Sequence, residues 1–284
     1  MNTPEHAAAI RYYAENYERL YSTYLGDPCV TDAIQDALRP HIRSEASMIV
    51  DLGCGAGRQL STLAAALDIP LSNCLGIDRS GAMHGRHDND HLGWTFIEDD
   101  FTNSVGQDLI LDKIRHVAPK DIVFICLGNT IGHIDPEHYA ALANFLCNVK
   151  NQVCTVEATY LFVEYRDGEQ YRKLCDPRSS HSIGGERTNA YGSAEFLGQL
   201  GSDFYAFYVR EDVGNKQYRV FLYSLGTNAL ATGVACTLSG LLINDAFYVD
   251  ATRLFIALQD AGFETFAMNG RSALETGRLV GRKG

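Results

Sequence analysis

The chain has 284 residues, of which 46% are hydrophobic, enough for one α/β domain with room for an insertion. Its formal net charge of −11 argues against a nucleic-acid partner, because a basic face could not form without cancelling acids. The first residues lack the basic and apolar regions of a signal peptide, and no apolar run reaches the length of a membrane span. The eight cysteines contain no C-x-x-C pair. We therefore expect a cytoplasmic protein with reduced thiols and no membrane partner.

The N-terminal segment, residues 1–47, is predicted to be helical and is rich in tyrosine. Tyr13, Tyr17, Tyr21 and Tyr24 fall on one helical face. A helix packed on the domain would explain this spacing, but core stripes are usually aliphatic, and repeated phenols suit a wall that also offers hydroxyl groups. Plain packing and a lid over a ligand site are both open alternatives, and we take the lid as the expectation to test.

The segment Met48–Arg58 reads as a buried strand, a tight glycine turn and the start of a helix. Glycines allow the backbone to turn sharply and to approach a ligand without an intervening Cβ. A dinucleotide fingerprint would place its third glycine at position 58, where Arg58 stands. An acid at the strand end instead suits a ligand with an ammonium group and no phosphate, such as S-adenosylmethionine. The residues of this segment that we predict to contact the cofactor are Asp51, Gly53, Cys54, Gly55 and Gly57.

Acids also follow the next two predicted strands. Asp78 ends the apolar run after Cys74, and its carboxylate could accept hydrogen bonds from the ribose hydroxyls of either S-adenosylmethionine or NAD. We include its neighbour Arg79 in the predicted cofactor site. The third strand, Trp94–Glu98, leads to Asp100 and Phe101. We predict that the former accepts from the adenine amino group and the latter lies beside the ring.

Predicted strands and helices alternate from Met48 to Tyr165. The fourth strand, Ile122–Leu127, opens into the loop Gly128–His133, and the fifth is Thr159–Tyr165. This alternation predicts a parallel sheet covered by helices on both faces, with ligands at the carboxyl ends of its strands.

The alternation of predicted strands and helices ends after Arg166. Residues 167–244 are predicted to form an inserted cap, in which Phe204–Glu211 and Gln217–Ser224 make a β-hairpin. Residues 245–284 then supply an amphipathic helix and the last two strands of the core that begins with residues 48–166.

Four segments occur in a characteristic order: the glycine segment, the strand that ends in Asp78, the segment Trp94–Phe101, and the fourth strand with its loop. In this order they resemble the motifs of class I S-adenosylmethionine-dependent methyltransferases. That resemblance implies an α/β fold with a doubly wound, seven-stranded, mostly parallel sheet, here carrying an N-terminal helical lid and an inserted β-rich cap. It also implies that the final strand runs antiparallel to its neighbours.

The segment Ile125–His133 is similar to the fourth-strand segment of glycine and sarcosine N-methyltransferases, and Tyr24–Asp27 is similar to their entry segment. Within the first of these segments, Leu127–Gly132 also looks like the corresponding loop of histidine Nα-methyltransferases. The likeness to the glycine and sarcosine enzymes implies cofactor contacts from Tyr21, Tyr24 and Leu127. It implies that Asn129 and Arg166 bind a substrate carboxylate, with His133 nearby. The chain departs from the glycine and sarcosine enzymes at Asp100-Phe101, where they have Asn-Trp, and at Thr31, where they have arginine.

The function predicted from these residues is methyl transfer from S-adenosylmethionine to a small molecule, most simply to the nitrogen of an amino acid or a related amine. His133 either takes the proton of that amine as a catalytic base or merely caps the turn before the next helix. Alternatives are a small-molecule O-methyltransferase, an NAD-dependent oxidoreductase and a non-catalytic cofactor-binding module. No His/Asp cluster with metal-ligand spacing stands at the strand ends, so we expect no metal. A homo-oligomer is compatible with the sequence.

Overall fold

The computed structural model describes residues 28–79, 93–128, 130–166, 168, 172, 194–200, 204–226, 240–269 and 276–284. They divide into two compact units, one built on a seven-stranded sheet and the other on a four-stranded sheet. The strands, in chain order, are β1 (Ser47–Leu52), β2 (Cys74–Asp78), β3 (Thr95–Glu98), β4 (Asp121–Cys126), β5 (Ala158–Arg166), β6 (Ala194–Leu200), β7 (Phe204–Gly214), β8 (Gln217–Gly226), β9 (Gly240–Phe247), β10 (Glu264–Asn269) and β11 (Thr276–Lys283). The α-helices are α1 (Pro28–Leu38), α2 (Arg58–Ala66), α3 (Ser104–Val117), α4 (Tyr139–Gln152) and α5 (Ala251–Asp260).

The seven-stranded sheet has the order β10-β11-β5-β4-β1-β2-β3. The five neighbouring strands β5, β4, β1, β2 and β3 pair in parallel, whereas β10 and β11 form an antiparallel pair at one edge of the sheet. The order reverses at β1, which lies between β2 and β4. The prediction of a seven-stranded, mostly parallel sheet is therefore confirmed.

Every residue of β1 and β4 is buried, and successive side chains of a strand point to opposite faces of the sheet. Both faces of this sheet are therefore covered, and the covering elements are helices. Met48, Val50 and Leu52 of β1 belong to a core cluster with apolar residues of α3, α4 and α5. Ile49 points the other way, into a second cluster with residues of α1 and α2. The sheet is thus doubly wound, as predicted.

The strand register brings the ends of β1, β2 and β4 together. Asp51 pairs with Gly76 on one side and with Ile125 on the other. Side chains and loops that follow these three strands consequently lie at one edge of the sheet, as expected for a parallel arrangement.

An ion-pair network lies at the other end of these strands, where β4 and β5 begin. Arg43 binds both carboxylate oxygens of Asp121, at 2.8 Å from Nε and 2.7 Å from Nη2, and contacts Glu157 at 2.6 Å. Only 2% of the Asp121 side chain is exposed, compared with 49% of that of Arg43. Asp121 and Glu157 lie at and just before the starts of β4 and β5, so the network fastens the segment before β1 to its neighbours.

The four-stranded sheet has the order β6-β7-β8-β9 and is antiparallel throughout. The predicted hairpin corresponds to β7 and β8, which turn at Asn215 and Lys216, both with positive φ. Sequence reasoning missed β6 and β9, and β9 continues to Phe247, past the predicted cap boundary at residue 244.

A 3₁₀ turn at Pro136–His138 precedes α4, which begins at Tyr139. The Asp135 carboxylate accepts from the amide of Glu137 at 2.9 Å and caps this turn.

Of the N-terminal helical region, the structure describes α1 only, and the predicted lid residues before Pro28 lie outside the described residues. In the part of the chain that is described, no helix combines the length and apolar character needed to cross a membrane.

Candidate functional site

The loop between β1 and α2 is shaped by three glycines with positive φ, +75° at Gly53, +53° at Gly55 and +72° at Gly57. L-residues with side chains rarely adopt this conformation, so the alternating glycines of the sequence are needed for the turn. The amides of Gly53 and Cys54 donate to the carbonyl of Ile77 at 2.8 and 3.2 Å. These bonds place the loop against the end of β2.

Two of these glycines also make room for neighbouring side chains. A Cβ on Gly57 would overlap the ring of Trp94, and a Cβ on Gly53 would overlap the methyl group of Thr130. Gly76 on β2 has a similar role, because a Cβ there would lie 2.6 Å from the Sγ of Cys54. The glycine loop is therefore packed tightly against the side chains of Trp94 and Thr130.

Asp78 lies at the end of β2, and its Oδ2 accepts a hydrogen bond from the amide of Gly55 at 2.9 Å. A carboxylate offers about four lone-pair positions, so this bond is compatible with the predicted role of Asp78 as an acceptor for ligand hydroxyls. The structure thus joins two predicted site residues, the acid of β2 and the middle glycine of the loop.

Asp51 is the most unusual ionisable group of the site. It is only 3% exposed, and among the described residues its carboxylate has no hydrogen-bond or ion-pair partner. Burial, with a smaller contribution from the negative charge of Asp78, raises its pKa to about 8. Burial and the same two acids raise the pKa of the Cys54 thiol as well. Cys54 is therefore a protonated packing residue rather than a nucleophile.

The loop after β3 is ordered by its own carboxylates. Oδ1 of Asp100 accepts from both the amide and the hydroxyl of Thr102, at 2.8 and 2.7 Å. The amide of Asp99 donates to the carbonyl of Asp78 at 3.1 Å, which brings this loop next to β2. Phe101 is 7% exposed and lies in the core cluster with Ile110. Its ring is thus a core side chain, which the sequence alone did not predict.

The loop after β4 is a tight turn from Leu127 to Thr130. Gly128 has φ +61° and is exposed, and a Cβ built on it would meet nothing within 4 Å. Its amide lies 3.4 Å from a carboxylate oxygen of Glu164 on β5. The turn therefore presents its tip to open space. Asn129, the predicted substrate contact at this tip, lies outside the described residues.

His133 ends the 3₁₀ turn Thr130–His133 and is exposed. Desolvation by the protein around it and, to a smaller extent, the positive charge of Arg79 lower its pKa. The structure thus brings together the predicted residues Arg79 and His133, with the histidine neutral at pH 7.

Of the remaining predicted site residues, Arg166 alone belongs to the described part of the chain. Arg166 is the last residue of β5 and belongs with the compact unit of the four-stranded sheet. Tyr21 and Tyr24 lie outside the described residues. Within the described ranges, no group of three or more His, Cys, Asp and Glu side chains is arranged to hold a metal ion.

Sequence reasoning missed Thr130. Its hydroxyl donates to the carbonyl of Leu127 at 2.8 Å, and its methyl group fills the space left by Gly53. No composition or spacing signal marks such a residue, because its role arises from a contact between segments 77 residues apart.

No protein-family model and no curated protein matches this chain. Similar folds do occur among solved structures. DesVI of Streptomyces venezuelae has a TM-score of 0.56 and 17% identity, over 95% of this chain and 97% of that one. CalS10 of Micromonospora echinaspora, described as an amino pentose methyltransferase and solved with S-adenosylmethionine bound, has a TM-score of 0.58 and 16% identity, over 95% and 96%. KedS8, described as a sugar N-methyltransferase from a Streptoalloteichus strain, has a TM-score of 0.53 and 13% identity, over 88% and 85%.

These similarities and the strand order agree on the architecture. The chain has the class I methyltransferase fold, with the topology switch at β1 where the glycine loop begins.

Proposed function

We propose that this protein is an S-adenosylmethionine-dependent methyltransferase that acts on a small molecule. The observation that carries the proposal is the buried Asp51 beside Asp78 at the glycine loop. Burial keeps Asp51 protonated until a positive charge lies beside it, so the two acids favour a cationic ligand. The pyrophosphate of NAD supplies no positive charge and itself needs donor or cationic groups.

The described strand-end residues fit the parts of this cofactor. The ammonium group of the cofactor would bring its positive charge to Asp51, and the ribose hydroxyls would donate hydrogen bonds to the carboxylate of Asp78. Asp100 has its Oδ2 left over from the bonds to Thr102, which suits an amino-group donor such as adenine. S-adenosylmethionine supplies a methyl group that is already activated on a sulfonium. The task left to the protein is to bind and align the acceptor, which contributes roughly 7–11 kcal/mol in well-oriented reactions.

Equilibrium binding tests the cofactor. We expect S-adenosylmethionine and S-adenosylhomocysteine to bind to the purified full-length chain, and NADH to bind far more weakly. Preferential binding of NADH would contradict the proposal and favour an oxidoreductase. Tight binding of S-adenosylmethionine without turnover of any acceptor would favour a non-catalytic cofactor-binding module.

For the acceptor, we propose the nitrogen of an amino acid or a related amine. The sequence likeness of the loop after β4 to amino-acid N-methyltransferases supports an amino acid. Two of the fold neighbours are described as a sugar N-methyltransferase and an amino pentose methyltransferase, which supports an amine carried on a sugar as the second candidate. A panel of amino acids, amino sugars and phenols, read by release of S-adenosylhomocysteine, separates these acceptors. Release with phenols or carboxylates alone would favour an O-methyltransferase.

Arg166 discriminates among the amines. We propose that its guanidinium holds the carboxylate of an amino-acid substrate through two parallel hydrogen bonds, which an ammonium cannot reproduce. Arg166→Lys should then lower kcat/KM for an amino acid at least about tenfold and leave an amine without a carboxylate unaffected. Arg115→Lys, an exposed arginine of α3 that pairs with Asp112, is the matched control. An unchanged kcat/KM for the best amino acid in Arg166→Lys would contradict this assignment and favour an acceptor without a carboxylate.

A further inference from the structure

Thr130 holds the turn after β4 from within. Its amide and its hydroxyl both donate to the carbonyl of Leu127, at 3.1 and 2.8 Å, so this one residue closes the turn twice. We call this turn, which the structure describes at Leu127, Gly128 and Thr130, the acceptor turn, because we place the methyl acceptor at its exposed tip, Gly128. Without the hydroxyl, the turn would keep a single main-chain bond.

The methyl group of Thr130 lies against Gly53, the first residue of the loop 53–57, which we call the cofactor loop. A Cβ on Gly53 would overlap this methyl group and would lie 2.9 Å from Oγ1, so Thr130 occupies the space that the glycine leaves open. The hydroxyl oxygen is also 3.5 Å from the carbonyl of Gly53. A single side chain therefore contacts both segments.

We propose that Thr130 is a positioning residue that sets the acceptor turn at a fixed distance from the cofactor loop. This inference rests on the proposed function, with the methyl donor bound at the cofactor loop, and adds to it that the amine binds at the acceptor turn. The two reacting groups then meet in an orientation that Thr130 determines, although Thr130 touches neither of them. A displacement of about 1 Å in such a site can cost on the order of a hundredfold in rate.

Two substitutions separate the contacts. Thr130→Val keeps the bulk beside Gly53 and loses the hydroxyl, whereas Thr130→Ser keeps the hydroxyl and loses the methyl group. In each we expect the Kd for S-adenosylhomocysteine to stay within about threefold of the wild type. We expect kcat with the best acceptor of the panel to fall about tenfold or more, because alignment is lost while the cofactor still binds. A loss in one variant only would assign the positioning to the contact that this variant lacks.

Ser47→Ala is the matched control. Its hydroxyl is buried and donates to the carbonyl of Arg43 at 2.7 Å, at the other end of β1 from the cofactor loop. This variant should lower the melting temperature about as much as Thr130→Val and leave kcat unchanged. If both Thr130 variants keep the wild-type kcat, or if kcat in Ser47→Ala falls as it does in them, the positioning role is wrong. A wild type that fails to bind S-adenosylmethionine would contradict the proposed function instead.

Amide hydrogen exchange gives a readout that does not need turnover. Saturation with S-adenosylhomocysteine should slow exchange in both the cofactor loop and the acceptor turn of the wild type. In the Thr130 variants, protection should persist in the cofactor loop and be lost in the turn. Equal protection of the turn in the wild type and in both variants would overturn the proposal.

Discussion

Asp78 and Gly55 are joined by a hydrogen bond of 2.9 Å between the carboxylate of β2 and the amide at the middle of the glycine loop. The acid is thereby both a candidate ligand for the cofactor and a support for the loop that surrounds it. Because Gly55 adopts φ +53°, its amide points in a direction that a residue in the ordinary helical or extended conformation would not provide.

Replacement of Asp78 by Ala should weaken S-adenosylmethionine binding by about 1–3 kcal/mol, since ribose hydroxyls and the Gly55 amide would all lose an acceptor. Asp78→Asn, which keeps one acceptor oxygen, should lose less. Calorimetric titration measures the affinities, with Asp108→Asn, an exposed acid of α3, as the control. Wild-type affinity in a folded Asp78→Ala protein would remove Asp78 from the site.

Much of the seven-stranded sheet was predictable, because β1 and β4 are continuous apolar runs and the helices between them carry helical periodicity. The four-stranded sheet was only half predicted. Its register shifts between Phe196 and Gly198 and again between Val220 and Phe221, and such bulges interrupt the alternation that identifies a strand.

The same contrast holds for the candidate site. The strand-end acids Asp51 and Asp78 were predictable, since their place depends only on where a strand ends. The core position of Phe101 and the contact between Thr130 and Gly53 were not, because both depend on how segments far apart in sequence pack.

The Arg43 network should matter more for stability than an ordinary surface ion pair. Arg43→Met leaves the carboxylate of Asp121, whose side chain is 2% exposed, without its counter-charge. Arg39→Met is a close control, because Arg39 is equally exposed but its partner Asp68 is 64% exposed. Thermal unfolding should show a melting temperature several degrees lower for Arg43→Met than for Arg39→Met. Equal losses would mean that the burial of Asp121 adds nothing.

His133 should not act as the base that deprotonates the amine. Desolvation and the charge of Arg79 lower its pKa, so the ring is neutral at pH 7 and too weakly basic to hold the proton of an alkylammonium. His133→Gln should retain kcat within about threefold, and the pH profile of kcat/KM should keep its shape between about pH 5.5 and 7.5. Disappearance of an inflection near neutral pH in the variant would restore the histidine as a base.

Asp51 should couple the stability of the protein to pH. Its pKa rises from 3.8 to about 8, because burial and, secondarily, the charge of Asp78 disfavour the carboxylate. Between these two values the folded protein holds a proton that the unfolded chain has lost, so the free energy of unfolding falls as pH rises through this window. Asp51→Asn removes the effect, and chemical denaturation at pH 5 and pH 8 should show a smaller pH dependence than in the wild type. A pH dependence that is identical in both proteins would contradict the raised pKa.

The same proton should be released when a cationic cofactor binds. A positive charge beside Asp51 favours its carboxylate, so the affinity for S-adenosylmethionine should rise with pH up to about 8. Calorimetry at pH 7 in two buffers that differ in ionisation enthalpy should give binding heats that differ by the release of up to one proton. The difference should disappear in Asp51→Asn and persist in Asp108→Asn. Identical heats in the two buffers for the wild type would mean that the cofactor binds without displacing this proton, and Asp51 would then lie too far from its charge to sense it.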